Sequence, residues 1–144
     1  MPHPELLFWL NLLVFLSGLG QVVLAIGSLA IPKVLGWKQE LAKVNPLTRQ
    51  MFWVYSAYIW TTNLCFGLVS LLAPGWLTAH TPLAAAVAGF IATYWGSRVV
   101  IQFTYFDTSE LPKGWPYKLA EVSLVALFIF LTGVYGVAVW FNLT

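Results

Sequence analysis

Residues 119–141 read LAEVSLVALFIFLTGVYGVAVWF, a run in which Glu121 carries the only charge. A membrane-spanning helix needs about 20 mostly apolar residues, because each residue rises about 1.5 Å and the hydrocarbon core is about 30 Å thick. The run has that length and composition. It therefore predicts a helix that crosses a membrane.

The same pattern recurs in three further runs, which cover residues 6–31, 51–73 and 83–106. Prolines lie at the boundaries of the runs, at Pro32, Pro74, Pro82 and Pro116. Proline ends a helix or occupies its first turn, where the missing N–H costs nothing. The sequence thus predicts an all-α membrane protein, a four-transmembrane-helix antiparallel bundle that forms one domain over residues 1–144.

The composition supports a membrane protein. Of the 144 residues, 60% are hydrophobic and 8% are charged, whereas a soluble domain carries about 25% charged residues. The net charge of +2 comes without a basic stripe, so we expect no nucleic-acid partner. The single cysteine, Cys65, excludes an internal disulfide.

The distribution of basic residues predicts an orientation. Apart from Arg98, which lies inside the third run, they fall in the first and third loops, at Lys33, Lys38, Lys43, Arg49, Lys113 and Lys118. Basic loops stay on the cytoplasmic side of a membrane, so we expect loops one and three to be cytoplasmic and both termini to be outside. The small size and the lack of sorting signals suggest a multi-pass protein of a bacterial inner membrane.

The first loop has a helical pattern of its own. Its apolar residues recur at helical spacing, and its charged residues take the opposite side: Val34, Trp37, Leu41 and Val44 against Lys38, Glu40 and Lys43. This pattern predicts a short amphipathic helix that lies in the cytoplasmic membrane interface.

Small residues are candidates for helix contacts, because in lipid they allow two backbones to approach closely. They are Gly20 and Gly27 in the first run, Ala85, Gly89, Ala92 and Gly96 in the third, and Gly133 and Gly136 in the fourth. They can serve packing within the bundle or between copies of the chain. In the first run, Ser17 and Gln21 lie one turn apart and can bridge helices.

The most informative polar residue is Arg98, well inside the third run. Tyr94, Arg98 and Gln102 share one helix face, since they are four residues apart. A charge at such depth usually faces a protein interior. The nearest candidate carboxylates are Asp107 and Glu121, and the second run adds Tyr55, Tyr58, Thr62 and Asn63.

Two interpretations of Arg98 stay open. In the first, the guanidinium forms a structural ion pair with Glu121 or Asp107, or extends to the interface. In the second, Arg98 and Gln102 bind an anionic or carbonyl-bearing group, such as a lipid phosphate, a quinone oxygen or a carboxylate, because the guanidinium offers them a planar fork.

The sequence contains no catalytic, metal or cofactor motif, and His3 and His80 lie outside the four runs. The first hypothesis is therefore a non-catalytic membrane protein, a subunit of a larger assembly or a homo-oligomer. Its partners would be membrane lipid and either other membrane subunits or itself. The alternative is a binder, carrier or enzyme for an amphipathic molecule in a cytoplasm-facing pocket around Arg98. The sequence does not identify a cofactor, and it leaves enzymatic activity undecided while leaning against it.

Overall fold

The computed structural model describes residues 4–105 and 114–144, and every secondary-structure element in them is helical. Helix α1 is Pro4–Ser28, α2 is Ile31–Val34, α3 is Trp37–Leu41, α4 is Pro46–Leu72, α5 is Pro82–Thr104 and α6 is Trp115–Leu143. A 3₁₀ turn, Pro74–Thr78, joins α4 to α5. The prediction of an all-helical chain is confirmed for the described residues.

Side-chain caps and prolines set the start of two long helices. The Asn45 side chain accepts a hydrogen bond from the Thr48 amide at 2.8 Å, and Pro46 follows in the first turn of α4. Thr81 caps α5 in the same way, through a 3.0 Å bond from the Ala84 amide. Such caps satisfy amides that the first turn leaves unpaired. Helix α4 consequently begins at Pro46 rather than at residue 51.

Helix α1 ends at Ser28, short of the predicted residue 31. Pro32 has no N–H to donate to the Ser28 carbonyl, so the regular hydrogen-bond ladder cannot continue. In the last turn of α1, the carbonyl of Ala25 accepts hydrogen bonds from the Ser28 hydroxyl at 2.8 Å and from the Trp60 indole at 2.7 Å. The end of α1 is therefore fixed to α4.

The first loop forms two short helices instead of the single predicted one. Gly36 separates α2 from α3 with a φ of +65°, a left-handed conformation that glycine adopts at little cost. Trp37 packs edge-on against Phe52 at 4.8 Å between ring centroids, and Leu41 is buried. Arg49 donates hydrogen bonds to the carbonyls of Leu41 and Val44 at 3.0 and 3.3 Å. The segment is thus folded back onto the first turns of α4.

Three helices in the described part, α1, α5 and α6, are long and apolar enough to cross a membrane. Helix α4 is also long, at 27 residues, but is more polar than these three. Its middle turns carry the hydroxyl and amide side chains of Ser56, Thr61, Thr62 and Asn63. Length and composition therefore support a membrane protein, with α4 less apolar than the others.

The long helices pack as α1 on α4, α5 on α6, and α1 on α6. The closest approach is between α1 and α4, where a Cβ added at Gly18 would lie 2.7 Å from the carbonyl oxygen of Gly67. A Cβ added at Gly67 would lie 3.0 Å from the backbone nitrogen of Val22. These two glycines let the helix backbones touch, and the sequence pattern did not single them out.

The predicted small residues divide into two groups. Cβ atoms added at Gly89 and Gly96 of α5 would meet Val139 and Thr132 of α6 at 3.6 and 3.4 Å, and one added at Gly20 would meet Leu127 at 3.0 Å. Ala85 is buried and Ala92 packs at the edge of the core. Cβ atoms added at Gly27, Gly133 and Gly136 would meet nothing within 4 Å. The first group packs within the chain, and these last three glycines face outward.

Candidate functional site

A polar network buried at the centre of the molecule joins the four long helices. The Gln21 amide nitrogen donates to the Tyr135 hydroxyl at 2.6 Å and to the Ser17 carbonyl at 3.1 Å. The Gln21 amide oxygen accepts from the Trp95 indole at 3.0 Å, and the Tyr135 hydroxyl hydrogen-bonds the hydroxyl of Ser70. Gln21, Tyr135 and Ser70 are fully buried.

Every donor and acceptor of Gln21 is used within this network. In the described residues, no buried side-chain nitrogen or oxygen lacks a hydrogen-bond partner. A satisfied buried network fixes the relative positions of helices and offers no unpaired group to a ligand. Gln21 was recognised from the sequence as a bridging residue, but Tyr135 and Ser70 were not. The available signal for Tyr135 was a tyrosine inside an apolar run, six residues before the end of that run.

A second set of hydrogen bonds fastens the connection between α4 and α5. The Asn142 side chain donates to the Leu77 carbonyl at 2.7 Å and accepts from the His80 amide at 2.9 Å. Thr78 donates to the Asn11 side chain at 2.6 Å. These hydrogen bonds therefore hold the connection against both α6 and α1. Their role is structural.

The third polar set contains Arg98 and lies between α4 and α5. These two helices are not among the closely packed pairs, and side chains bridge them instead. The Tyr94 hydroxyl donates to the Asn63 side chain at 2.5 Å, and Phe66 packs edge-on against Tyr94 at 5.3 Å. We use the name α4–α5 opening for residues 55–63 of α4 and residues 94–102 of α5, two segments whose backbones are not closely packed.

Arg98 is partly buried at this opening, six residues before the end of α5, which corresponds to about 9 Å along the helix. Its Nη1 donates to the Gln102 amide oxygen at 2.9 Å. The guanidinium carbon lies 5.0 Å from the ring centroid of Phe128, and Phe128 stacks on Trp95 at 5.2 Å. A cation over an aromatic face is attracted by the ring quadrupole. Residues of α5 and α6 thus hold the guanidinium in place.

One of the two carboxylates proposed from the sequence, Glu121, is placed differently. Glu121 pairs with Lys118 at 3.7 Å, and no ion pair between Glu121 and Arg98 is present in residues 4–105 and 114–144. Asp107 lies outside the described residues. The structure therefore brings Tyr94, Arg98, Gln102 and Asn63 together, and it engages Glu121 elsewhere.

Two tyrosines lie on α4, five and eight residues before Asn63. Tyr55 and Tyr58 are 55% and 67% exposed, and Thr62 donates its hydroxyl proton to the Tyr58 carbonyl. No group of three metal-ligating side chains occurs in the described part of the chain. The groups on hand are a guanidinium, two amides and three phenols, which suit the binding of a polar head group next to apolar surface.

Comparison with protein-family models, with curated proteins and with solved structures gave no match for this chain.

Proposed function

We propose that this chain is a small, non-catalytic integral membrane protein that binds an amphipathic molecule at the α4–α5 opening. Arg98 would neutralise an anionic or carbonyl-bearing head group. Gln102 would orient that group, and Tyr55 and Tyr58 would cover the ring or chain attached to it. The observation that carries this proposal is a partly buried guanidinium, held 5.0 Å from the ring centroid of Phe128, beside two helices whose backbones are not closely packed.

The geometry also bears on how the chain crosses the membrane. Helix α4 runs alongside α1, with Gly67 beside Val22 and Trp60 beside Ala25. If α1 spans the bilayer, α4 shares its depth. The hydroxyls of Thr61 and Thr62 donate to backbone carbonyls one turn earlier in α4, so neither needs water. We propose four spans in an antiparallel bundle, with loops one and three cytoplasmic and both termini outside, in a bacterial inner membrane.

Thermal unfolding in detergent tests the binding proposal with three probes, a short-chain phosphatidate, a short-chain quinone and decanoate. We expect at least one probe to stabilise the wild-type protein, because a ligand that binds only the folded state adds about 2.7 kcal/mol at a hundredfold excess over Kd. Arg98→Gln should remove that stabilisation. Lys118→Gln is the matched control, since Lys118 is 73% exposed and pairs with Glu121, and it should respond like the wild type.

Two results would overturn the binding proposal. One is that none of the probes stabilises the wild-type protein. The other is that the Arg98→Gln variant shows the same ligand-dependent shift as the wild type.

A second candidate function is assembly through α6. Gly133 and Gly136 are exposed and a Cβ added at either meets nothing within 4 Å, so this helix backbone is accessible to another helix. The glycines of α5 are less suitable, because they already face α6.

Native mass spectrometry of the gently extracted protein should show a multiple of 16.1 kDa or added subunits. Gly133→Leu with Gly136→Leu should reduce the protein to a monomer, whereas Val137→Leu should not. A wild-type monomer would exclude this function.

A further inference from the structure

The segment between α1 and α4 exposes cations and apolar side chains together. Lys33 and Lys38 are exposed, and Ile31, Val34 and Leu35 are 37%, 49% and 37% exposed. We call these five residues the α2–α3 surface. Beneath it, Trp37 and Leu41 pack toward α4, so the apolar residues of the surface are not needed for the interior of this segment.

The other cations near this surface are already engaged. Lys43 pairs with Glu40 at 3.2 Å, and Arg49 binds the carbonyls of Leu41 and Val44. In the described part of the chain, Lys33 and Lys38 belong to no ion pair. The α2–α3 surface therefore carries positive charge that its own segment does not neutralise.

We propose that the α2–α3 surface binds the head groups of anionic phospholipids in the adjacent membrane leaflet. Apolar side chains of an interfacial segment enter the boundary between head groups and acyl chains, while lysines extend toward phosphates. The charge on the lysines is complementary to an anionic leaflet. Gly36, Trp37 and Arg49 hold the segment in one shape, so the two lysines are presented without a large ordering cost.

This inference depends on the membrane embedding proposed above and does not depend on the α4–α5 opening. The experiment is therefore done in the Arg98→Gln background, in which a lipid bound at the opening does not contribute. Its failure leaves the binding proposal for Arg98 intact.

The measurement is a lipid competition. Protein purified in detergent is mixed with equal amounts of phosphatidylglycerol and phosphatidylcholine, and native mass spectrometry gives the ratio of the two bound lipids. We expect phosphatidylglycerol to be preferred. Lys33→Gln with Lys38→Gln should reduce that preference by about fivefold for each lysine. Lys43→Gln is the matched control, because Lys43 is already paired with Glu40.

We expect both variants to keep the segment folded, because all three lysines are exposed. Circular dichroism checks this. The proposal is overturned if the double variant keeps the preference of its parent. It is also overturned if Lys43→Gln reduces the preference as much as the removal of Lys33 or Lys38, because the effect would then follow total charge alone.

Discussion

Gln21 donates a 2.6 Å hydrogen bond to the hydroxyl of Tyr135, which lies 114 positions further along the chain. The two residues come from α1 and α6. Through Trp95 and Ser70 the same network reaches α5 and α4. One amide and one phenol therefore set the relative position of all four long helices.

The first prediction concerns this network. Tyr135→Phe should lower the free energy of unfolding by roughly 0.6 to 1.7 kcal/mol, the average and the largest value for hydrogen bonds between helices in membranes, because Gln21 and Ser70 lose their common partner. Thermal unfolding in detergent measures the change. Tyr58→Phe is the control, since Tyr58 is 67% exposed. Equal losses for the two variants would show that the network does not stabilise the fold.

The second prediction concerns the contact between α1 and α4. Gly18→Ala should destabilise the protein by about 1 to 3 kcal/mol, the usual cost of overpacking, because the new methyl group meets the backbone of α4 at Gly67. Gly27→Ala lies in the same helix with nothing within 4 Å. That control should be neutral or stabilising, since alanine is the better helix former. If Gly18→Ala is tolerated as well as Gly27→Ala, the close approach is wrong.

The third prediction concerns the contact between Arg98 and Phe128. A double-mutant cycle of Arg98→Gln and Phe128→Leu should give a coupling energy of about 0.5 to 2 kcal/mol, because a partly desolvated cation over a ring is worth that much. Phe128→Leu alone also loses the stacking on Trp95. The cycle subtracts this loss from the coupling energy. A cycle of Lys118→Gln with Phe128→Leu serves as the reference and should show no coupling. Additive effects for Arg98 and Phe128 would contradict the contact.

The fourth prediction concerns the path of the chain through the membrane. In a Cys65→Ser background, Ala79→Cys should react with a membrane-impermeant thiol reagent in intact cells, and Lys38→Cys should react only after permeabilisation. Both positions are exposed. If α4 did not cross the membrane, the two cysteines would lie on one side and label under the same condition. That result would reject the four-span proposal.

The sequence predicts the positions of the long helices because their signals are local. Pro46, Pro82 and Pro116 each lie within the first two residues of a long helix, and apolar runs mark the helix bodies. The contacts between helices are not local. Nothing in the run around Gly18 indicates that Gly67 will lie against it, and nothing around Gln21 identifies Tyr135 as its partner.

In the candidate site, too, the sequence predicts what lies on one helix and not the contacts between helices. Helical spacing places Tyr94, Arg98 and Gln102 on one face. Asn63 was also proposed from the sequence and contacts Tyr94, whereas Phe128, the ring next to Arg98, was not. Glu121 was a reasonable partner for Arg98 by depth. Its nearer neighbour is Lys118, one turn earlier in α6, which occupies the carboxylate first. The sequence pattern predicted one helix in the first loop and did not predict the break at Gly36. The apolar residues on both sides of Gly36 keep helical spacing, although Gly36 itself adopts a left-handed conformation.

The network around Gln21 has a consequence for how the protein is made. Tyr135 belongs to α6, which is synthesised after α1, α4 and α5. The Gln21 amide therefore has no access to this partner until α6 is made. Contact between Gly18 and Gly67 needs only the first half of the chain and can form early. The order of synthesis thus separates an early hairpin of α1 and α4 from a late step in which α6 supplies the phenol that completes the interior.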